Sequence, residues 1–199
     1  MKRFGAMLVA GAMAASIATG ASAQQIGSDG EAFLTAIREQ DGAKVTEIAQ
    51  RQGGGVVDYR GYDGSTPLTT AMARKSSAYV SFLLSNGASP DLPDRKGDTP
   101  LLIAARGGFV DGVDRMLAAR ARVDLANRQG ETPLIVAVQA RQPSVVRKLL
   151  EAGANADKSD FAAGFSARDY AKRDTRNRDL LRLIETVKPV RRAVAGPIR

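Results

Sequence analysis

The chain has 199 residues, 44% apolar and 25% charged, which suits one globular domain able to bury a core without covalent help. It contains no Cys, His or Trp, which removes thiolate and imidazole nucleophiles, the usual zinc ligand sets and any disulfide framework. The formal charge is +8, but Lys2, Arg3, Lys188, Arg191, Arg192 and Arg199 sit at the two ends and account for six of those charges, leaving +2 for residues 24–187. A nucleic-acid binder concentrates positive charge in its fold, so nucleic acid is not the expected partner.

At the start, Lys2 and Arg3 precede an apolar run from Phe4 to Ile17, and small residues follow at Ala21-Ser22-Ala23 before the polar Gln24-Gln25. This is the layout of a secretory signal peptide over residues 1–23, with cleavage expected after Ala23. The run is shorter than the roughly 20 apolar residues that span a bilayer, so no transmembrane segment is expected after cleavage. A single Arg in the basic region argues against a twin-arginine signal, and the lack of Cys excludes lipid attachment at the cleavage site. With no disulfides and no Asn-x-Ser/Thr acceptor, the expected location is a bacterial periplasm or the medium beyond it.

Asp29 to Gln40 and Ala43 to Gln52 read as a first helix pair, followed by a turn at Gly53-Gly54-Gly55. A motif then recurs: Gly64-Ser65-Thr66-Pro67-Leu68-Thr69-Thr70-Ala71, Gly97-Asp98-Thr99-Pro100-Leu101-Leu102-Ile103-Ala104, and Gly130-Glu131-Thr132-Pro133-Leu134-Ile135-Val136-Ala137. The copies are 33 residues apart, and a degenerate copy from Gly164 to Ala171 follows at 34. Such fixed self-similarity signals a stacked array. Gly supplies positive φ at a hairpin tip, Thr caps the following helix, and Pro fits its first turn, where no donor is needed. Leu and the Ala three residues later share one helical face. Each second helix carries an apolar stripe: Val80, Leu83 and Leu84; Val113, Met116 and Leu117; Val146, Leu149 and Leu150. Gly87 and Gly153 are expected to end two of them in left-handed backbone. Ser166 to Arg173 and Asn177 to Val187 close the array, and residues 188–199 form a basic tail expected to be disordered.

These residues resemble the ankyrin repeat, whose pattern runs Gly-x-Thr-Pro-Leu-x-x-Ala and ends Leu-Leu-x-x-Gly-Ala. The resemblance implies an all-α solenoid of about five helix-turn-helix units including degenerate caps, over residues 24–187, with the clear repeats at about 61–160. Two departures stand out. Arg120 occupies the place of Gly87 and Gly153, so it must adopt left-handed backbone or the helix must end otherwise. Thr69, Leu102 and Ile135 stand where the family usually has His, which puts its local hydrogen bonds in question.

No catalytic motif emerges, and neither a cofactor nor a metal site is expected. Asp91 and Asp94, and Asp157 and Asp160, are carboxylate pairs that read as polar loop residues rather than acid/base machinery. Asp174 and Arg178 are spaced to pair on a helix. The resemblance implies protein binding through hairpin tips and exposed residues of the first helices. Carried over by register, those are Tyr62, Asp63, Ser65 and Arg74 in the first clear copy, Arg95, Lys96, Asp98 and Arg106 in the second, and Arg128, Gln129, Glu131 and Gln139 in the third. Their excess of cations favours an acidic protein surface. The expected function is a non-enzymatic adaptor, inhibitor or scaffold. Two alternatives stay open: attachment to the cell envelope through weak contacts of the basic tail, and an effector role on a host protein after secretion.

Overall fold

The computed structural model describes residues 18–188, apart from 53, 54 and 177. The leader up to residue 17, the Gly53-Gly54 part of the first turn and the tail from residue 189 lie outside the described residues. Five helix pairs follow one another: α1 (Ala18–Glu39) with α2 (Gly42–Gln52), α3 (Pro67–Ala73) with α4 (Ser77–Ser85), α5 (Pro100–Gly107) with α6 (Val110–Ala118), α7 (Pro133–Gln139) with α8 (Pro143–Glu151), and α9 (Ala167–Arg173) with α10 (Arg178–Thr186). No strand occurs among the described residues. The first helices form an inner row in which α1, α3, α5, α7 and α9 each pack on the next, and α4, α6, α8 and α10 form a parallel outer row. The all-α solenoid of five units is therefore the observed architecture.

The inner helices begin where the motif places them. Thr66, Thr99 and Thr132 hold extended backbone, and their hydroxyls accept the amides of Thr69, Leu102 and Ile135, with Pro at the first helical position each time. Ser166 does the same for Asp169 in the degenerate copy, and the Asp169 carboxylate returns the bond to the Ser166 amide. Thr69 makes a comparable reciprocal cap, its hydroxyl accepting the Thr66 amide at 2.8 Å. Leu102 and Ile135 are fully buried instead, so the other two copies replace a polar bond with core packing.

Leu68, Leu101 and Leu134 are buried, as are Ala71, Ala104, Ala137 and Ala171, whose small side chains let successive inner helices approach closely. Val80, Leu83, Val113, Met116, Val146 and Leu149 join them from the outer row in one continuous core. Full burial of each such side chain contributes about 1.5–3 kcal/mol.

Two features differ from the sequence expectation, the start of the first helix and the partner of Asp174, and at Arg120 one of the two expected alternatives is realised. The first helix extends upstream of Asp29 to Ala18, because the intervening Ala-, Ser- and Gln-rich stretch has no proline to stop it. Arg120 does adopt left-handed backbone, with φ 60°, and Gln40, Lys75 and Arg141 do so as well. Asp174 does not pair with Arg178: it terminates α9, α10 begins only at Arg178, and the Asp174 carboxylate instead accepts two bonds from Arg141, at 2.7 and 3.1 Å.

Candidate functional site

Between the helix pairs the chain forms hairpins built on one plan. The amides of Gly61, Asp94 and Asn127 reach the carbonyls of Ser65, Asp98 and Glu131 at 2.9–3.0 Å. The side chains of Asp94 and Asn127 fold back onto the tip amides of Lys96 and Asp98, and of Gln129 and Glu131. Asp160 holds Ala163 and Gly164 in the same way. Burial alone would raise the Asp160 pKa, but the Tyr170 hydroxyl at 2.6 Å and these amides outweigh burial and hold it below the ordinary carboxylate value.

A second set of carboxylates stitches neighbouring units together. Asp58, Asp91 and Asp124 lie 33 residues apart, and each accepts the amide of the residue 31 positions later, Ser89, Arg122 and Asn155, at 2.8–3.0 Å. Asp91 also pairs with the Arg122 guanidinium at 3.0 Å, and Asp157 pairs with Arg168 at 2.6 Å. Asp91, Asp94, Asp157 and Asp160 therefore each have a local structural task. Among the described residues, no three carboxylates gather where a metal ion could be held.

The tips nest on one another through their glycines. A Cβ on Gly97 would lie 2.9 Å from the Arg128 amide nitrogen, and one on Gly130 would lie 2.8 Å from that of Phe161. At Gly64 the Cβ of Arg95 fills the corresponding space. Each missing side chain is thus the seat of the following tip. Three bonds link the row: Arg95 Nη2 donates to the Tyr62 carbonyl at 3.2 Å, the Arg128 amide to that of Lys96 at 3.4 Å, and the Phe161 amide to that of Gln129 at 2.8 Å.

The sequence-predicted surface residues fall into three groups. Tyr62, Arg95, Lys96, Arg128 and Gln129 are exposed on the tips. Asp63, Ser65, Asp98, Arg106 and Glu131 are tied to one another or to neighbours in the groove behind. Asp63 pairs with Arg38 at 2.5 Å; the Ser65 hydroxyl and amide, followed by Arg38, hold its pKa below the ordinary value. Asp98 is only 3% exposed; it accepts Arg106 at 2.5 Å and Asn127 Nδ2 at 2.8 Å, while Asn127 also reaches Glu131 at 2.8 Å. Arg106 lies 3.6 Å from Glu131 as well; burial works against its charge, but Asp98 outweighs burial and its pKa is raised. Arg74 and Gln139 end the inner helices α3 and α7, where Arg74 borders a recess of about 370 Å³ with Arg38, Thr70 and Ile103. Gln139 and Tyr170 border another of about 410 Å³.

This division has an electrostatic result. The groove acids are answered by the chain's own Arg38, Arg106 and Asn127, whereas Arg95, Lys96 and Arg128 have no carboxylate partner among the described residues. Three residues of the site were missed by the sequence reading. Phe161, 79% exposed, continues the register of Tyr62, Arg95 and Arg128 and could have been found by counting another 33. Asn127 shares its place with Asp94 and Asp160. Arg38 lies in the unit whose repeat motif is absent, so nothing in the spacing marks it.

A family model for ankyrin repeats in three copies matches residues 80–160, and one for a single ankyrin repeat matches residues 63–95. No curated protein matches the chain.

Proposed function

The chain belongs to the ankyrin repeat family, and from that premise we propose that it is an exported, non-enzymatic module that holds a partner protein with an acidic surface. Ankyrin repeats are generally protein–protein interaction modules, and a stacked array offers an extended surface of fixed shape for the purpose. One observation carries the preference for an acidic partner: Arg95, Lys96 and Arg128 are exposed on consecutive tips without a carboxylate, while Arg38 and Arg106 in the groove are already paired. Forked guanidinium donors suit carboxylates, and an interface of ordinary size would bury about 800 Å² on each side. Export is supported by Lys2-Arg3, the apolar run and Ala21-Ser22-Ala23, and places the partner in the periplasm or outside the cell.

The test is affinity capture by the exported chain, compared with its Arg95→Glu/Arg128→Glu variant and with a chain lacking residues 188–199. The expected outcome is one protein retained by the wild type and by the truncated chain, lost from the charge-reversed variant, with bait that begins at Gln24. Capture that depends on the tail instead would assign the molecule to envelope attachment.

A further inference from the structure

Tyr62, Arg95, Arg128 and Phe161 occupy one register position, each 33 residues from the next, on four consecutive tips. The two at the ends are the large apolar side chains that stand exposed among the described residues, at 80% and 79%. The two in the middle are cations without a carboxylate partner. The row is held in line by the tip-to-tip bonds and glycine seats described above, so its spacing is that of the stacked units. Packed helices stand about 8–10 Å apart, and an extended or polyproline II chain advances about 9–10 Å in three residues. In polyproline II every third side chain also falls on the same face.

We infer that this row is a docking rail for an extended segment of the partner protein that presents apolar, acidic, acidic and apolar side chains at three-residue intervals. The inference rests on the proposed binding function and adds to it the chemistry and spacing of the ligand. The end rings cover the apolar side chains and the guanidinium forks take the two carboxylates. A lipid surface is met by a broad basic face, with each cation worth about 1 kcal/mol near anionic headgroups. Here Arg95 and Arg128 stand in line between aromatic rings, and of the residues that follow the row on the tips, Asp63, Lys96, Gln129 and Ala162, Lys96 alone is basic.

The test uses the full exported chain and two synthetic ten-residue peptides. One has the sequence Leu-Pro-Ala-Glu-Pro-Ala-Glu-Pro-Ala-Leu; the other has the same composition with its glutamates and leucines out of the three-residue spacing. Titration by fluorescence anisotropy is expected to give about tenfold tighter binding of the matched peptide, and about tenfold weakening by Tyr62→Ala or Phe161→Ala, the scale of losing an aromatic anchor. Arg95→Glu/Arg128→Glu is expected to abolish binding, with thermal melts of all variants matching the wild type. Equal affinity for the two peptides, no binding of the matched one, or indifference to Phe161→Ala overturns the rail. If partner capture still depends on Arg95 and Arg128, only the rail falls and the broader function stands. Vesicles of mixed phosphatidylcholine and phosphatidylserine form a parallel arm, in which binding that needs Tyr62 and Phe161, without peptide binding, assigns the row to a membrane and overturns the proposal.

Discussion

Arg120 and Arg141 both hold left-handed backbone, with φ 60° and 53°, yet they do so for different returns. Arg141 places its guanidinium on Asp174 with two bonds, tying the fourth unit to the fifth. Arg120 is exposed and makes no ion pair among the described residues. Left-handed backbone costs a non-glycine residue about 1–2 kcal/mol, so Arg120→Gly is expected to stabilise the protein by roughly 1 kcal/mol after the greater freedom of the unfolded glycine is deducted. Arg141→Gly removes the same strain together with the Asp174 contact and is expected to give no gain. Urea unfolding of the two variants measures both, and equal stabilisation would show that the Arg141 bridge contributes nothing.

The hairpins and the helices they feed account for most of what could be read in advance. Gly, Thr, Pro, Leu and Ala in fixed order specify a tip, a cap, a first turn and a packing face, and every copy performs those tasks locally, so a linear string suffices to see them. The polar network of Asp98, Arg106, Asn127 and Glu131 could not be seen in that way, because its members face one another only after two units stack. The same holds for Arg38, which reaches the first tip from a unit without the motif. The glycine seats allow a comparison within this element. Gly87 and Gly97 share φ near +85°, at 86° and 84°, but a Cβ on Gly87 would meet nothing within 4 Å, whereas one on Gly97 would strike the backbone of the next tip. Gly87→Ala is expected to cost about 1–2 kcal/mol and Gly97→Ala clearly more, with the Arg128 tip displaced. Denaturation midpoints give the order of stabilities and amide chemical shifts report the displacement; equal costs would mean that the tips are not tightly nested.

At the scale of the whole molecule, four carboxylates of lowered pKa gather at one end: Asp157 beside Arg168, Asp160 under Tyr170, Asp169 on the Ser166 cap and Asp174 on Arg141. A carboxylate whose folded pKa lies below its ordinary 3.8 binds protons more readily when unfolded, so its contribution is present above that value and is lost as pH falls through the folded pKa. No His or Cys exists to titrate between about pH 5 and 8. Stability is therefore expected to be flat from about pH 5.5 to 8 and to fall below about pH 4, with amides of α9 and α10 losing hydrogen-exchange protection before those of α5 and α7. Uniform loss of protection along the array would contradict this polarity. The packing of each helix pair on its sequence neighbours has a further consequence, for inheritance. Gain or loss of a 33-residue stretch such as 95–127 leaves every kind of interface intact and alters the row of tips by one rung. The reach of the surface is a whole number, so a lineage can lengthen its grip by copying a unit before any new side chain has arisen.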